Sequence, residues 1–452
     1  MGRLEDRIIA KKEKNSLVGL CKVQKKFIPE LFDYFEETVD PRNPDYITYS
    51  NRVMLGQMYF KGIAGLVSMQ GMTSCFNDEQ IAKNLSRICG NKELDMLPHH
   101  VTENEYLERL DPNETQGILH RIARRMIRRK TFCDARFKKK WLVIIDGTQL
   151  YSGGRQINDS CLETRHGKGT AQESVVYHQN VLEAKIYLGN NLVLSIMSEF
   201  IENSPEKKEE WKGLSPEKIK QDCETKAFYR LAVRLKKAFP KLPILILADS
   251  LYATEPVMKK CRENGWDYLI RFKNGSIPSI AEEVESLRKN EDFGKWEISG
   301  QIQAAEFING IQYQDQTVNY LHYSEKKRVK KADQTTEFQW LTSLSITRKN
   351  AEKMAGVGRR RWKIENQGFN RQKNKVGDIT HACSWNANAL KNHYLITQIS
   401  DFVRQLYEYF RLEKLGIKRT QKNISSTLLS DFCELLTGED IFNTQPQQIC
   451  GL

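Results

Sequence analysis

WLVIID (141–146) is a run of five apolar residues that stops on a carboxylate. Its length and its three β-branched residues read as a buried strand, and the small residue Gly147 follows directly. The design recurs in KLPILILADS (241–250), where an apolar run stops on Asp249 and Ser250 comes next. Between the two lie ESVVYHQNVLEAKIYL (173–188) and NLVLSIMSEF (191–200), joined through Gly189, Asn190 and Asn191. Gly and Asn supply the positive φ values that a tight turn requires, so this pair reads as a hairpin. IKQDCETKAFYRLAVRLKKAF (219–239) is an amphipathic helix stopped by Pro240. EPVMKKCRENG (255–265) reads as a short helix and WDYLIRFK (266–273) as another strand. Strand, hairpin, helix, strand, helix, strand predicts an α/β sheet of mixed direction over 136–273.

Around that core the patterning changes. Residues 1–135 show helical spacing and form an expected helical, DNA-binding unit. Its last element, GILHRIARRMIRRK (117–130), has five arginines and one lysine. That helix is either a solvated basic face or a surface, through Arg124, Arg125 and Arg128, that lies on DNA phosphates. Short alternating runs over 274–345 predict a β-rich insertion. Helix returns over 346–412, and the polar tail 413–452 is expected to be loosely ordered.

The chain holds 452 residues and a net charge of +13. That excess points to polyanionic partners, nucleic acid first. The ten cysteines contain no CxxC pair, which suits a reducing compartment better than a disulfide framework or a zinc module. Residues 1–15 are charged and lack the apolar centre of a secretory leader. The longest apolar stretch, MLGQMYFKGIAGLVSM (54–69), carries Gln57 and Lys61 and reads as a buried helix, not a membrane span. The expectation is a prokaryotic cytoplasmic protein, nucleoid-associated when bound to DNA. No GxxxxGK[ST] motif is present, so ATP is not implied.

Asp146 and Asp249 each end an apolar strand, where loops of an open α/β sheet leave space for ligand. Two such carboxylates on neighbouring strands suit a hard divalent cation. A third acid stands in GRRRWKIENQGFNRQKNK (358–375), where Glu365 is the one acid among seven Arg and Lys. On a continuous helix, Arg361, Glu365, Gln372 and Lys373 would share roughly one face. Basic residues there would hold phosphate while the acids held metal. The plain alternative makes Asp146 and Asp249 turn residues and Glu365 an ion-pair partner.

WLVIIDGTQLYS, LEAKIYLGNNLVLSIMSEFIEN, ILADSLYA and GRRRWKIENQGFNRQKN together resemble a DDE transposase of the IS4-like insertion-sequence group, from about residue 40 to 410. The resemblance implies an RNase H-like catalytic core. Asp146, Asp249 and Glu365 become its catalytic, metal-binding triad, with Mg²⁺ or Mn²⁺, two ions, as cofactor. It implies transposon terminal inverted repeats and target DNA as partners, and a homodimer on paired ends. The activity would be hydrolysis at a transposon end followed by strand transfer from the exposed 3′-OH. Group members often carry Tyr-x2-Arg-x3-Glu-x6-Lys on the last helix. Here Arg361 and Glu365 fit, Gly358 stands in the tyrosine slot, Gln372 in the lysine slot, and Lys373 one position late. Arg360, Arg361 and Lys373 are candidate DNA contacts.

A flipped base needs an aromatic platform. Trp340 is the candidate by position, against a place in the insertion's own core, while Trp362 reads as packing the helix onto the sheet. Asp222 and Glu224 compete with the triad but sit at a helix start, where acids favour the macrodipole. Glu199 and Glu202 could support the site from outside. Cys161, His166, His178, His381 and Cys383 match no compact zinc spacing. Three rival readings remain: an RNase H-fold nuclease without strand transfer, a silent DNA-binding relic of a transposase, and a soluble structural protein whose basic surface is incidental.

Overall fold

The computed structural model describes residues 15–167, 169–203, 209–212, 220–287, 294–298, 301–329, 332–437 and 439. Within these the chain opens with α1 (Ser16–Phe27), α2 (Leu31–Glu36), α3 (Asn51–Ala64), α4 (Met69–Phe76), α5 (Glu79–Ile88), α6 (His100–Arg109) and α7 (Pro112–Arg128). The start of α7 is specified locally, because Asp111 accepts a hydrogen bond from the Asn113 amide and Pro112 occupies the first turn. Four strands follow: β1 (Trp141–Gly153), β2 (Leu162–His166), β3 (Ser174–Tyr187) and β4 (Val193–Ile201). Then come α8 (Glu224–Ala238), β5 (Ile244–Ala248), α9 (Glu255–Glu263) and β6 (Asp267–Arg271).

The next stretch holds α10 (Pro278–Leu287), β7 (Gly294–Ile298), β8 (Gln301–Tyr313), β9 (Gln316–Val329) and β10 (Ala332–Thr342). The chain returns through α11 (Arg348–Arg359), a π-helical segment (Ile364–Phe369), α12 (Asn370–Asn374) and α13 (Ala387–Tyr407). A second π-helical segment (Glu408–Glu413) and α14 (Gln421–Asp431) close it.

The strands form one mixed sheet, ordered β2-β3-β1-β5-β6-β10-β9-β8-β7, with β4 also on β3. β1 runs antiparallel to β3 and parallel to β5, and β5 runs parallel to β6. Every residue of β5 is buried, as expected of a parallel strand covered on both faces. The β3–β4 hairpin turns where the sequence places it, with Gly189, Asn190 and Asn191 at φ 85°, 48° and 64°.

Three expectations need correction. β1 does not stop at the acid: its parallel ladder with β5 ends at Ile144, but the strand continues along β3 to Gly153. The β-rich stretch is no separate module, because β10 pairs antiparallel with β6 and carries the same sheet onward through β9 and β8. The tail beyond 413 is folded as far as its described residues reach. Phe432 is fully buried, its ring 5.5 Å from Phe60 and 5.6 Å from Phe76. Asp431 caps the N-terminus of α1, accepting from the Ser16 amide at 2.6 Å, where a carboxylate is favoured by the helix dipole.

α13 ties the layers together. It is buried along almost its whole length and packs on α1, α3, α6, α7 and β4. The N-terminal helices and the sheet therefore share one hydrophobic core. No helix among the described residues is long and apolar enough to cross a membrane.

Because Phe432 fills space between two other rings, Phe432→Ala should lower unfolding free energy by about 3–5 kcal/mol, read from urea denaturation.

Candidate active site

The parallel ladder sets the first two acids side by side. Ile144 pairs with Leu247, so Asp146 on β1 and Asp249, just past the end of β5, lie at equivalent positions two residues further on. Neighbouring strands are about 4.8 Å apart. One oxygen of Asp249 accepts from the Leu251 amide at 2.9 Å, opening the short turn Ser250–Tyr252.

The third acid arrives from across the core. α11 ends at Arg359, the chain turns, and Glu365 enters on the π-helical segment, which packs against β1 and β4. π-helical turns are rare and recur at functional positions. Burial pushes the Asp146 carboxyl up to about 6. The Arg361 guanidinium opposes that rise, and the negative charges of Asp249, Glu224 and Glu365 add to it. Arg361 Nη1 lies 3.1 Å from Asp146 Oδ2. Asp249 and Glu365, from two further elements, thus both act on Asp146. Among the described residues no three His, Cys, Asp or Glu side chains stand close enough to share a metal ion. The donor set itself, three carboxylates, suits a hard divalent cation.

A family profile described as the transposase DDE domain matches residues 224–397, a stretch that holds both Asp249 and Glu365. Over that stretch the chain is similar to a transposase DDE domain. No curated protein is significantly similar to the chain.

The shared-face expectation for residues 361–373 fails. The turn after α11 and the wider π-helical turn change the direction of every later side chain. Gln372 is 1% exposed and donates to Gln398 at 2.9 Å and to Asp401 at 2.9 Å. Arg371 is buried too, binding Asp401 and, through both terminal nitrogens, Glu408. Lys185 joins the same network by donating to Gln398 at 2.5 Å. The lysine slot of the motif is therefore a core position here. Lys373 is left half-buried at the surface, and Arg360 lies over the Tyr187 ring at 5.1 Å.

The basic helix α7 divides between structure and surface. Arg125 binds Glu30 at 2.8 Å and the Phe27 carbonyl at 2.8 Å, while Arg121 pairs with Glu37. These residues fasten α7 to the first two helices. Arg124 is exposed but reaches the Ala238 carbonyl at 3.0 Å, and Arg128 is exposed. Arg128 and Arg124 are thus better placed to meet phosphate than Arg125.

Trp340 takes the core place that was its alternative, and Trp362 does not pack as expected. Trp340 is 2% exposed, stacked on Phe338 at 5.6 Å. A Cβ on Gly358 would come within 2.5 Å of its ring, which is why glycine stands where the family motif has tyrosine. With that packing Trp340 has no face open to a base. Trp362 is 48% exposed and its ring sits beneath Arg361 at 4.6 Å. It is not a packing residue.

Other acids sort themselves by their partners. Asp222 and Glu199 both bind Arg230, and Glu202 binds Lys391. Cys383 lies 3.2 Å from His393 Nε2, with Lys61 2.8 Å from the same nitrogen. Glu224, set aside as a helix-start acid, instead faces Gly147 and accepts from the Tyr252 hydroxyl. No local signal marks it, because acids are ordinary at helix starts. The one hint is the glycine after Asp146.

Trp340→Ala should cost about 3–5 kcal/mol of stability, whereas Trp362→Ala should leave the melting temperature within a few degrees of wild type. Thermal unfolding of the two variants checks the assignment.

Proposed function

We propose that the protein is a cut-and-paste DNA transposase of the IS4-like group. It cleaves at transposon ends and joins the freed end to target DNA. The observation that carries this reading is the approach of Asp146, Asp249 and Glu365 from two adjacent strands and a π-helical turn, with Arg361 against Asp146. An RNase H-like core is supported by the order β4-β3-β1-β5-β6, antiparallel on one side of β1 and parallel on the other.

In this reading the three carboxylates would hold Mg²⁺ or Mn²⁺, two ions. Such ions supply activation of a nucleophilic oxygen and charge neutralisation at a phosphodiester. Arg361 serves the same end from the protein side. Its guanidinium is a fixed fork that matches phosphate oxygens, and it stands 3.1 Å from the carboxylate at the reaction centre. Arg360 and Lys373 extend positive charge along the path of the DNA, and Arg124 and Arg128 mark a second area of contact. Trp362 offers an exposed ring for a base beside the cleavage point. Pairing of two transposon ends by a homodimer completes the expected assembly.

Glu365→Gln should remove cleavage while leaving DNA affinity nearly unchanged, since fold and basic surface persist. The loss should exceed the roughly 10–100-fold seen when only an outer-shell partner of a metal is removed. An excision assay in Mg²⁺, on a plasmid carrying the DNA that flanks the gene, compares wild type with the variant. Equal excision by both would overturn the triad.

A further inference from the structure

Glu224 is the first residue of α8, and its carboxylate has two neighbours from different parts of the sheet. Successive strand residues face opposite sides, so Gly147 points away from the side of β1 that Asp146 takes. The Glu224 carboxylate lies directly under Gly147. A Cβ there would fall 2.7 Å from Oε2 and 2.9 Å from Cδ, so only glycine leaves room for it. The second neighbour is Tyr252, whose hydroxyl donates to Glu224 Oε1 at 2.5 Å. Tyr252 belongs to the turn that Asp249 opens, since its amide bonds to the Asp249 carbonyl at 3.3 Å. Its ring is 1% exposed and sits 5.5 Å from Phe228 of α8. One carboxylate therefore touches the residue after the first strand acid and the turn that carries the second.

We propose that Glu224 is a positioning residue that sets the spacing between Asp146 and Asp249 from behind the sheet. The inference rests on the reading of those two acids as a metal-holding pair. Beyond Ile144 and Leu247 the parallel ladder no longer joins the two strands, so the ladder sets the register but no backbone pair of its own fixes the acids themselves. The Gly147–Glu224–Tyr252 bridge does so instead. Metal-binding side chains need placement to within about 0.5 Å, and removing an outer-shell support typically costs roughly 10–100-fold in metal affinity or activity.

The test uses the full-length protein and three variants. Tyr252→Phe deletes only the donor hydroxyl, Glu224→Ala deletes the bridge, and Glu224→Gln keeps an oxygen for Tyr252 and fills the same space without charge. Mn²⁺ binding is measured by calorimetry, and the Mn²⁺ dependence of DNA cleavage alongside it, with melting temperature as the control for folding. Glu224→Ala and Tyr252→Phe should each weaken Mn²⁺ binding by roughly 10–100-fold, and Glu224→Gln should recover most of that loss. Wild-type Mn²⁺ affinity in both Glu224→Ala and Tyr252→Phe would overturn the inference. So would a Glu224→Gln variant as weak as Glu224→Ala, because the charge and not the placement would then be what matters. Failure of the underlying reading looks different: wild type itself would bind no Mn²⁺, or Glu365→Gln would cleave normally, and the inference would fall with it.

Discussion

The register of β1 against β5 is the constraint on which the site depends. Parallel pairing of Ile144 with Leu247 leaves Asp146 and Asp249 at equivalent positions one strand apart. A slip of one residue would send one of the two side chains to the opposite face of the sheet. What prevents the slip is burial. Leu142 to Ile145 and Ile244 to Leu247 are fully buried, and exchanging their faces would place the carboxylate of Asp146 in an apolar layer. The hydrophobic effect along two short strands thus aligns two charges that would otherwise repel one another.

The third acid depends on a different force. Glu365 sits on a π-helical turn held from below by a buried polar network that links Lys185, Gln372, Arg371, Gln398, Asp401 and Glu408. Buried ionic groups of this kind contribute little net stability, because desolvation offsets much of their attraction. Their geometry is nonetheless demanding, and each partner lost would leave a buried charge without compensation. The network therefore fixes where residues 364–374 lie on α13 more than it strengthens the fold. α13 in turn packs on the first helices and the sheet, so the position of Glu365 depends on contacts spread from residue 16 to residue 431.

Charge around the acids follows from the same packing. Arg371 and Gln372 turn inward, Arg361 turns toward Asp146, and Trp362 remains at the surface with a cation over its ring. Arg121 and Arg125 of α7 are joined to carboxylates of the first helices. A count of basic residues along the chain overstates the charge left for a polyanion, because part of it is already neutralised within the protein.

By itself the sequence determined the α/β character, the β3–β4 hairpin and the identity of the two strand acids. Each of these is written in a few adjacent residues: an apolar run, a Gly-Asn-Asn turn, an acid followed by a small residue. It also determined Glu365 as a candidate, through its isolation among basic neighbours. Only the tertiary structure decided that Gln372 and Trp340 are core, that Trp362 is exposed, that the β-rich stretch extends the main sheet, and that Glu224 stands beneath Gly147. The reason is the range of the interactions. Trp340 meets Gly358, Gln372 meets Asp401, and Glu224 meets Gly147 across gaps in sequence that no local period spans, so their roles exist only once the chain has closed around them.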